Sequence, residues 1–445
     1  MKKYYFFVLM ALGAISCQQE IEVLSVDEPV NFSIQASPYA ISEEQALTRL
    51  EEFMSAFDVD QTRSHRRSVK EVRSISYSDI YGQTRSSDSE NVDELFYIVE
   101  FGEGQGSAVM GADVRLESVY AVLDETVLTI ENFNDAVNGE NLDDVTTYTA
   151  GLIAQNAMNR ISTCDLIIDD FRTDVTYYTT TNTVLTHVEP MLNTKWGQYS
   201  PFNDKFPLKE SGEGREEAGC GTIAVAQVLT YLTYPNNLTL NGHSHDWSII
   251  SMFTYWANPI TNIYYNNCLS QFIYDLAIEM GVEYENDSGE DLGSAVPVEN
   301  SEALFRDLGY LNVNFETLTA AKAKNMIWNN KPFYAYGIDT HQTVVSRDVA
   351  HAWVIDGWKE IRTVIREIVE DNGIIISNRI TQTYDTQYVH CNFGWSGICD
   401  GYYTFTNFDT RYRLPDDMIE EDYGDRGGVA SWDFSHDINM IKYNY

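Results

Sequence analysis

Two residues of this sequence, Cys220 and His351, have the types and surroundings that suit nucleophilic catalysis. Cys220 stands between two glycines at the start of GCGTIAVAQVLTYL (219–232), whose apolar density is typical of a buried helix. Free N–H groups and the helix dipole at such a position favour the nucleophilic thiolate. His351 lies in the strand-like AHAWVIDGW (350–358), and an imidazole can accept the thiol proton. The pair predicts covalent catalysis, although an isolated cysteine is more often a structural core residue.

Three further residues could support that chemistry. Gln198 precedes Cys220 by about twenty positions, and its amide with the Cys220 N–H would provide two donors for an oxyanion. The segment HCNFGWSGICDGYY (390–403) contributes Asn392, which could hold the imidazole in one tautomer, and Trp395, which could shield that bond from water. By itself, the same segment is also typical of a glycine-rich aromatic turn inside a sheet.

The elements before residue 165 predict a small α+β module. Ser42 and Gln45 have capping-box spacing ahead of an amphipathic pattern, which predicts a helix. Strand-like runs at 95–101 and 106–112 flank a glycine-rich turn and indicate a hairpin. The threonine-rich stretch 165–190 breaks the pattern and is interpreted as a loop-like connection to a second module.

The second module predicts helices first and strands after them. Helical patterns follow the cysteine segment at 269–281 and 301–308, and from residue 332 the chain is rich in strand-like runs. Asp371-Asn372-Gly373 between two such runs predicts a hairpin. This order favours an α+β catalytic domain.

Composition excludes some partners. The 445 residues carry 67 acidic and 29 basic side chains, a formal net charge of −38. Nucleic acid and anionic membranes require a basic surface, so neither is an expected partner. No cofactor or metal is expected either, because His243 and His245 without further ligands are weak evidence for zinc.

The N-terminus predicts export. Lys2 and Lys3 precede a short apolar stretch that ends in Ala14-Ile15-Ser16-Cys17, too short to span a bilayer. Small residues before Cys17 resemble a lipobox, which predicts a lipid anchor at this cysteine, and the alternative is an ordinary signal peptide cut nearby. The expected location is the outer membrane or cell surface, with possible release of the mature protein.

Four motifs together resemble the streptopain family of cysteine peptidases, in that family's order and at similar spacing. They are WGQYSPFN (196–203), AGCGTIAVAQVLTYLTYP (218–235), HAWVIDGW (351–358) and NFGWSGICDGYY (392–403). His351 follows Cys220 by 131 positions, near the roughly 130–150 of papain-like proteases. Residues 289–310 resemble a further family segment, and residues 96–128 are similar to that family's inhibitory prodomain.

The resemblance implies a papain-like α+β fold, a helical part followed by an antiparallel β part, behind a small α+β prodomain. It implies that Cys220 is the nucleophile, His351 the base and Gln198 the oxyanion-hole residue, with Asn392 and Trp395 in the turn beside the histidine. The family's members are endopeptidases made as inactive precursors. The implied partners are protein substrates and the chain's own prodomain.

The prediction is therefore a secreted zymogen cysteine endopeptidase that is activated by removal of its prodomain. One alternative is a catalytically weak or inactive surface lipoprotein that uses the scaffold for protein binding, favoured by Phe393 and Ala350, where the family usually has Trp and Gly. Another is an acyltransferase or amidase that uses the same two residues. The predicted boundaries are 1–17 for the signal peptide, 18–40 for a tether, 41–165 for the inhibitory prodomain, 166–188 for an activation linker and 189–445 for the peptidase domain.

Overall fold

The computed structural model describes most of the chain from residue 39 onward. The described ranges are 39–54, 67–81, 94–141, 144–163, 175–209, 212, 214–252, 263–287, 290–339, 349–371, 374–405 and 438–445. They all belong to one compact unit, Ser37–Tyr445. The predicted signal peptide and nearly all of the predicted tether lie outside these ranges, and so does Cys17.

The first part of the chain alternates short helices and strands. Its elements are α1 (Glu43–Met54), β1 (Val69–Ser76), α2 (Tyr77–Tyr81), β2 (Glu94–Phe101), β3 (Ser107–Gly111), β4 (Ala121–Leu123), α3 (Ile130–Asn138) and α4 (Val145–Thr163). The predicted capping box is confirmed: the Gln45 N–H donates to Ser42 Oγ at 3.2 Å, and the Ser42 N–H donates to Gln45 Oε1 at 2.9 Å. The predicted hairpin is confirmed by the antiparallel pairing of β2 with β3.

The second part begins with a strand, continues with helices and ends in long strands. Its elements are β5 (Val175–Val188), α5 (Cys220–Leu232), β6 (Leu238–Leu240), β7 (His243–His245), α6 (Trp247–Ile250), α7 (Ile263–Glu279), β8 (Glu283–Asp287), β9 (Glu290–Ala295), α8 (Val298–Asp307), β10 (Leu311–Thr317), α9 (Ala320–Trp328), β11 (Phe333–Asp339), β12 (Val349–Asp371), β13 (Ile374–Asn392), β14 (Gly401–Thr404) and β15 (Asn439–Asn444). The helices predicted at 269–281 and 301–308 correspond to α7 and α8. Within the described part of the chain, no helix has both the length and the apolarity that a membrane crossing needs.

One antiparallel sheet of eleven strands connects both parts. Its order is β1-β2-β3-β4-β14-β13-β12-β11-β15-β10, and β5 pairs with β12 outside this path. The predicted hairpin after β12 is confirmed, since Asp371 pairs with Ile374; the turn residues Asn372 and Gly373 lie outside the described ranges. The structure thus confirms an α+β fold in which helices precede a largely antiparallel β part. The domain boundaries given above remain a prediction.

The prediction of a loop-like connection at 165–190 is wrong for residues 175–188. Residues 175–188 form a strand rather than a loop, and β5 pairs with β12 from Val175↔Glu370 to Val188↔Trp358, with one register shift between Glu360 and Ile361. Threonine and valine are β-branched and fit a pleated sheet well, even where no clean apolar alternation marks the strand. The preceding residues of the predicted linker, 166–174, lie outside the described ranges.

Helix α5 is the centre of the packed core. Eleven of its thirteen residues are buried, which explains why the segment is apolar on every side instead of on one stripe. It packs against β12 and α7. Because α5 carries Cys220 and β12 carries His351, the contact between these two elements positions both residues of the predicted catalytic pair.

Candidate active site

Cys220 is the first residue of α5 and is half-buried. Gly219 before it has φ 81°, and a Cβ at Gly219 would lie 2.7 Å from the Ser294 backbone oxygen, so only glycine fits this turn. Burial raises the pKa of the Cys220 thiol, while the backbone N–H groups of Ala352, Gly221 and Cys220 itself act in the opposite direction. The thiol is therefore protonated in this state, although donors for a thiolate already surround the sulfur.

His351 lies in β12, directly before Ala352, whose N–H reaches the Cys220 sulfur. Its Nε2 is 3.0 Å from the carbonyl oxygen of Phe393. A carbonyl only accepts hydrogen bonds, so Nε2 carries the proton and Nδ1 is left as an acceptor. Burial lowers the pKa of His351 to about 4, and the imidazole is neutral.

The cysteine and the histidine are brought to neighbouring positions without a direct bond. Although both residues are described, no hydrogen bond joins Cys220 to His351, and burial disfavours the charged form of each. A thiolate–imidazolium pair is therefore not formed in this structure. Catalytic hydrogen bonds often become short only when substrate is bound, so this geometry is compatible with a resting site.

Trp395 stacks on His351, with ring centroids 4.4 Å apart and an interplanar angle of 26°. The ring of Phe393 is stacked 6.1 Å away, so aromatic rings exclude water from this side of the imidazole. Trp395 also packs against Tyr148 and Leu152 of α4, which are both buried. The first part of the chain therefore reaches the rings that cover the histidine.

Gln198 is half-buried, and its backbone carbonyl accepts a hydrogen bond of 2.9 Å from the Ala218 N–H. This bond places Gln198 beside the loop that leads into Cys220. Two residues earlier, the Trp196 carbonyl accepts from the Ser396 N–H at 3.0 Å. The short segment containing Gln198 thus connects the cysteine loop with the turn around Trp395.

Asn392 does not have the partner that the sequence suggested. It is almost completely buried, and its side chain bonds away from His351: Oδ1 accepts from Gln227 Nε2 at 2.9 Å, and Nδ2 donates to the Thr194 carbonyl at 2.7 Å. The partner of the imidazole is instead the backbone carbonyl of the next residue, Phe393. The expectation of a direct bond between Asn392 and His351 is therefore wrong, because both polar atoms of the Asn392 amide bond other groups.

A second buried histidine was not assigned a role from sequence. His390 Nδ1 lies 2.6 Å from Asp356 Oδ1, and Nε2 lies 3.7 Å from Asp124 Oδ2. Asp124 also forms an ion pair with Arg67. Burial would lower the pKa of His390, but the carboxylates override it and raise the pKa to about 10. The signal that could have revealed this group is the acidic residue within the strand HAWVIDGW, at a position where burial requires a partner.

The two histidines of the His-x-His motif share one carboxylate partner. His243 Nδ1 and His245 Nε2 both lie near Asp275 Oδ2, at 2.9 and 3.1 Å. Across the part of the chain that the structure describes, no group of His, Cys, Asp or Glu side chains is arranged to hold a metal ion. The four cysteines in this part, Cys220 among them, are all free thiols.

A cysteine at the start of a buried helix, beside a histidine on an antiparallel strand, is the arrangement of papain-like cysteine peptidases. Residues 196–403 match the model of the Peptidase C10 family. This segment is slightly less than half of the chain and contains all five predicted site residues. The resemblance to the streptopain family is confirmed, and it covers residues 196–403.

Among curated proteins, streptopain from Streptococcus pyogenes is 23% identical over 273 residues, which cover 53% of this chain. The chain spans 60% of the length of that relative. Two solved structures from Prevotella intermedia are also similar. A fragment of prointerpain A matches with a TM-score of 0.46 and 18% identity, over 78% of this chain and 95% of the fragment. Active wild-type interpain A, a cysteine protease, matches with a TM-score of 0.38 and 20% identity, over 57% of this chain and 94% of that one.

Proposed function

We propose that this protein is a secreted cysteine endopeptidase made as a zymogen, with Cys220 as nucleophile and His351 as base. The observation that carries the proposal is the contact between the start of α5 and β12. There the Cys220 sulfur meets the Ala352 N–H, one residue from an imidazole whose Nδ1 is left as a proton acceptor.

In the proposed reaction, His351 accepts the thiol proton and the Cys220 thiolate attacks the scissile carbonyl. The Cys220 N–H belongs to the first turn of α5, where N–H groups have no partner within the helix. With the side-chain amide of Gln198 it would stabilise the oxyanion. His351 then protonates the leaving amine, and water releases the acyl-enzyme.

The zymogen part of the proposal is supported by the contacts of the first part of the chain. Tyr148 and Leu152 pack on the ring that covers His351, and Cys399 Sγ donates to the Val145 carbonyl at 3.6 Å. β4 pairs with β14 from Leu123↔Gly401, which continues the sheet into the site turn. We infer that residues 41–165 keep the dyad buried and neutral until they are removed.

Removal of this covering part would hydrate both groups. Water stabilises charged forms, so the pKa of Cys220 would fall and the pKa of His351 would rise, and the reactive ion pair would become favourable. Cleavage before Val175 would leave β5 paired to β12 in the mature enzyme. We therefore expect activation within the predicted linker on the N-terminal side of β5.

Export and anchoring belong to the same proposal. A thiol protease precursor with a charged, then apolar N-terminus and a lipobox-like Cys17 is consistent with a surface or outer-membrane lipoprotein. Metabolic labelling with a radioactive fatty acid, in parallel with a Cys17→Ser variant, tests the anchor. Labelling of the unsubstituted chain alone would support it, and equal labelling of both would contradict it.

The first experiment compares the precursor from residue 18 onward with its Cys220→Ala and Cys268→Ala variants. Cys268 is a matched control, because it is another half-buried free thiol and lies on a different helix, α7. We expect the precursor and Cys268→Ala to be labelled by a thiol-directed epoxide after activation and to digest casein. Cys220→Ala should do neither.

The proposal fails if no protein digests casein or takes up the epoxide after deliberate removal of the N-terminal part. A protein-binding scaffold would then be the better interpretation. Transfer of the acyl group to an added amine in preference to water would instead favour the acyltransferase or amidase alternative.

A further inference from the structure

We infer that Gln227 is a positioning residue for the His351 base, acting through Asn392 and the Phe393 carbonyl. The inference rests on the proposed function, since it presumes that His351 is the base. Gln227 lies on α5 seven residues after Cys220, about two turns along the same helix. It would therefore tie the nucleophile's helix to the turn that orients the base.

The first step is the environment of Gln227. Its side chain is fully buried in a helix that is otherwise mostly apolar. A buried amide is costly unless its atoms are bonded, so its retention at this position requires specific partners. Two are present: Oε1 accepts from Thr194 Oγ1 at 2.7 Å, and Nε2 donates to Asn392 Oδ1 at 2.9 Å.

The second step is the turn that Asn392 holds. Asn392 Oδ1 also accepts from the Gly394 N–H at 3.2 Å, and Nδ2 donates to the Thr194 carbonyl. Gly394 has φ 72°, and a Cβ there would lie 3.0 Å from Ile223 of α5. The turn is therefore seated directly against the cysteine helix, and Asn392 fixes it on both sides of residue 393.

The third step is the carbonyl itself. The Phe393 carbonyl accepts from His351 Nε2 at 3.0 Å and shares one peptide plane with the Gly394 N–H, which Asn392 Oδ1 holds at 3.2 Å. The preceding peptide is held separately, since the Phe393 N–H donates to Asp400 Oδ1 at 2.9 Å. Rotation of the peptide between Phe393 and Gly394 would remove the acceptor that selects the tautomer with a free Nδ1. Gln227 bonds Asn392 and not His351, so its influence on the base passes through the position of that peptide.

The main test is Gln227→Met, a replacement of similar length that fills the core without hydrogen bonds. We expect kcat/KM of the enzyme activated from the full-length precursor to fall by about 10- to 100-fold, mostly in kcat, because small misplacement of a catalytic group is costly. The rate of iodoacetamide alkylation at Cys220 should also lose its dependence on a histidine-like ionisation near neutral pH. A purely structural role would lower thermal stability without changing that pH profile.

The matched control is Thr230→Val on the same helix. Thr230 is buried, and its hydroxyl donates only to the Ala226 carbonyl one turn earlier, so it has no connection to the turn. Removing this hydroxyl should leave kcat/KM and the alkylation profile as in the unsubstituted chain. A similar loss in Thr230→Val would mean that any polar deletion in α5 impairs the site, which would overturn the assignment.

A second variant, Gln227→Glu, tests the same inference if Gln227→Met does not fold. A glutamate keeps the shape and still accepts from Thr194, but it donates to Asn392 only when protonated. Burial raises the pKa of a carboxyl, so activity relative to the unsubstituted chain should be low at alkaline pH and recover as pH falls.

If both variants keep the unsubstituted rate and pH profile, the inference is wrong while the proposed function stands. If the unsubstituted chain is itself inactive and not alkylated faster than Cys268, the proposed function is what fails.

Discussion

Two buried histidines on adjacent strands have opposite electrostatic environments. His351 on β12 is enclosed by aromatic rings and bonds a carbonyl, and burial lowers its pKa to about 4. His390 on β13 is equally buried, yet Asp356 and Asp124 raise its pKa to about 10. The comparison shows that burial alone does not decide the charge of a histidine; the partners of its two nitrogens do.

The difference in charge suits the two histidines to different roles, proton transfer for His351 and the joining of structural elements for His390. A neutral imidazole with a free Nδ1 can accept a proton, which a catalytic base must do. An imidazolium held between carboxylates cannot, but it can join elements that carry those carboxylates. His390 binds Asp356 of β12 to Asp124, which immediately follows β4 in the first part of the chain. The two predicted modules therefore share a partly buried charged contact.

The largest expected effect is on activity in His351→Gln. With the proposed base removed, kcat/KM of the activated enzyme should fall by about 10³- to 10⁴-fold, whereas thermal stability should change little because the neutral ring makes one hydrogen bond. Casein or peptide hydrolysis and a melting curve measure the two effects. His243→Gln is the control, since its side chain is 55% exposed, and it should retain full activity. Retained activity in His351→Gln would show that His351 is not the base.

The next effect is on stability in His390→Gln. This change leaves the buried Asp356 without its cation, whereas Asp124 keeps its ion pair with Arg67, and breaking a buried charge pair typically costs about 3–5 kcal/mol. Urea unfolding of the Cys220→Ala background measures the free energy without self-cleavage. If His390→Gln lowers the free energy of unfolding by no more than the His243→Gln control does, His390 is not charged in the folded chain.

The two histidines should also give stability opposite pH dependences. His390 has a raised folded pKa, so its contribution is complete below the unfolded value near 6.5 and is lost as pH rises towards about 10. His351 has a lowered folded pKa, so its presence costs stability as pH falls from about 6.5 towards 4. Each dependence should amount to a few kcal/mol over its window.

Unfolding free energies from pH 4 to 10 in the Cys220→Ala background isolate these effects by difference. The free energy of unfolding should no longer decline at alkaline pH in His390→Gln. In His351→Gln, part of its decline at acidic pH should be absent. Differences that are flat with pH in both cases would contradict the assigned charge states.

The local parts of this site could be predicted from sequence, and its long-range partners could not. A glycine-flanked cysteine before an apolar run predicts the start of α5. The capping box that predicts the start of α1 likewise spans only four residues. Asn392, by contrast, bonds Gln227 from 165 positions away, and no local pattern shows which donor reaches an amide after folding. The same reason explains why the sequence indicates no role for His390: its carboxylate partners are Asp356 on β12 and Asp124 after β4, both distant from it in the chain.

The smallest expected effect concerns Asp124→Asn. Asp124 is 31% exposed and 3.7 Å from His390, and His390 keeps its closer partner Asp356 after the change. We expect stability to fall by about 1 kcal/mol or less, as for a partly exposed pair. Because Asp124 joins the first part of the chain to His390 and also pairs with Arg67, the precursor should nevertheless convert to the mature form a few-fold faster.

The time course of conversion, followed by gel at constant precursor concentration, tests whether the charged contact restrains the first part of the chain. Glu103→Gln is a suitable control, since Glu103 is an exposed turn residue in the same part of the chain. Faster conversion in Asp124→Asn alone would mean that His390 helps hold the covering segment in place. An unchanged rate would confine His390 to holding strands β12 and β13 together, because its bond to Asp356 would then account for its whole effect.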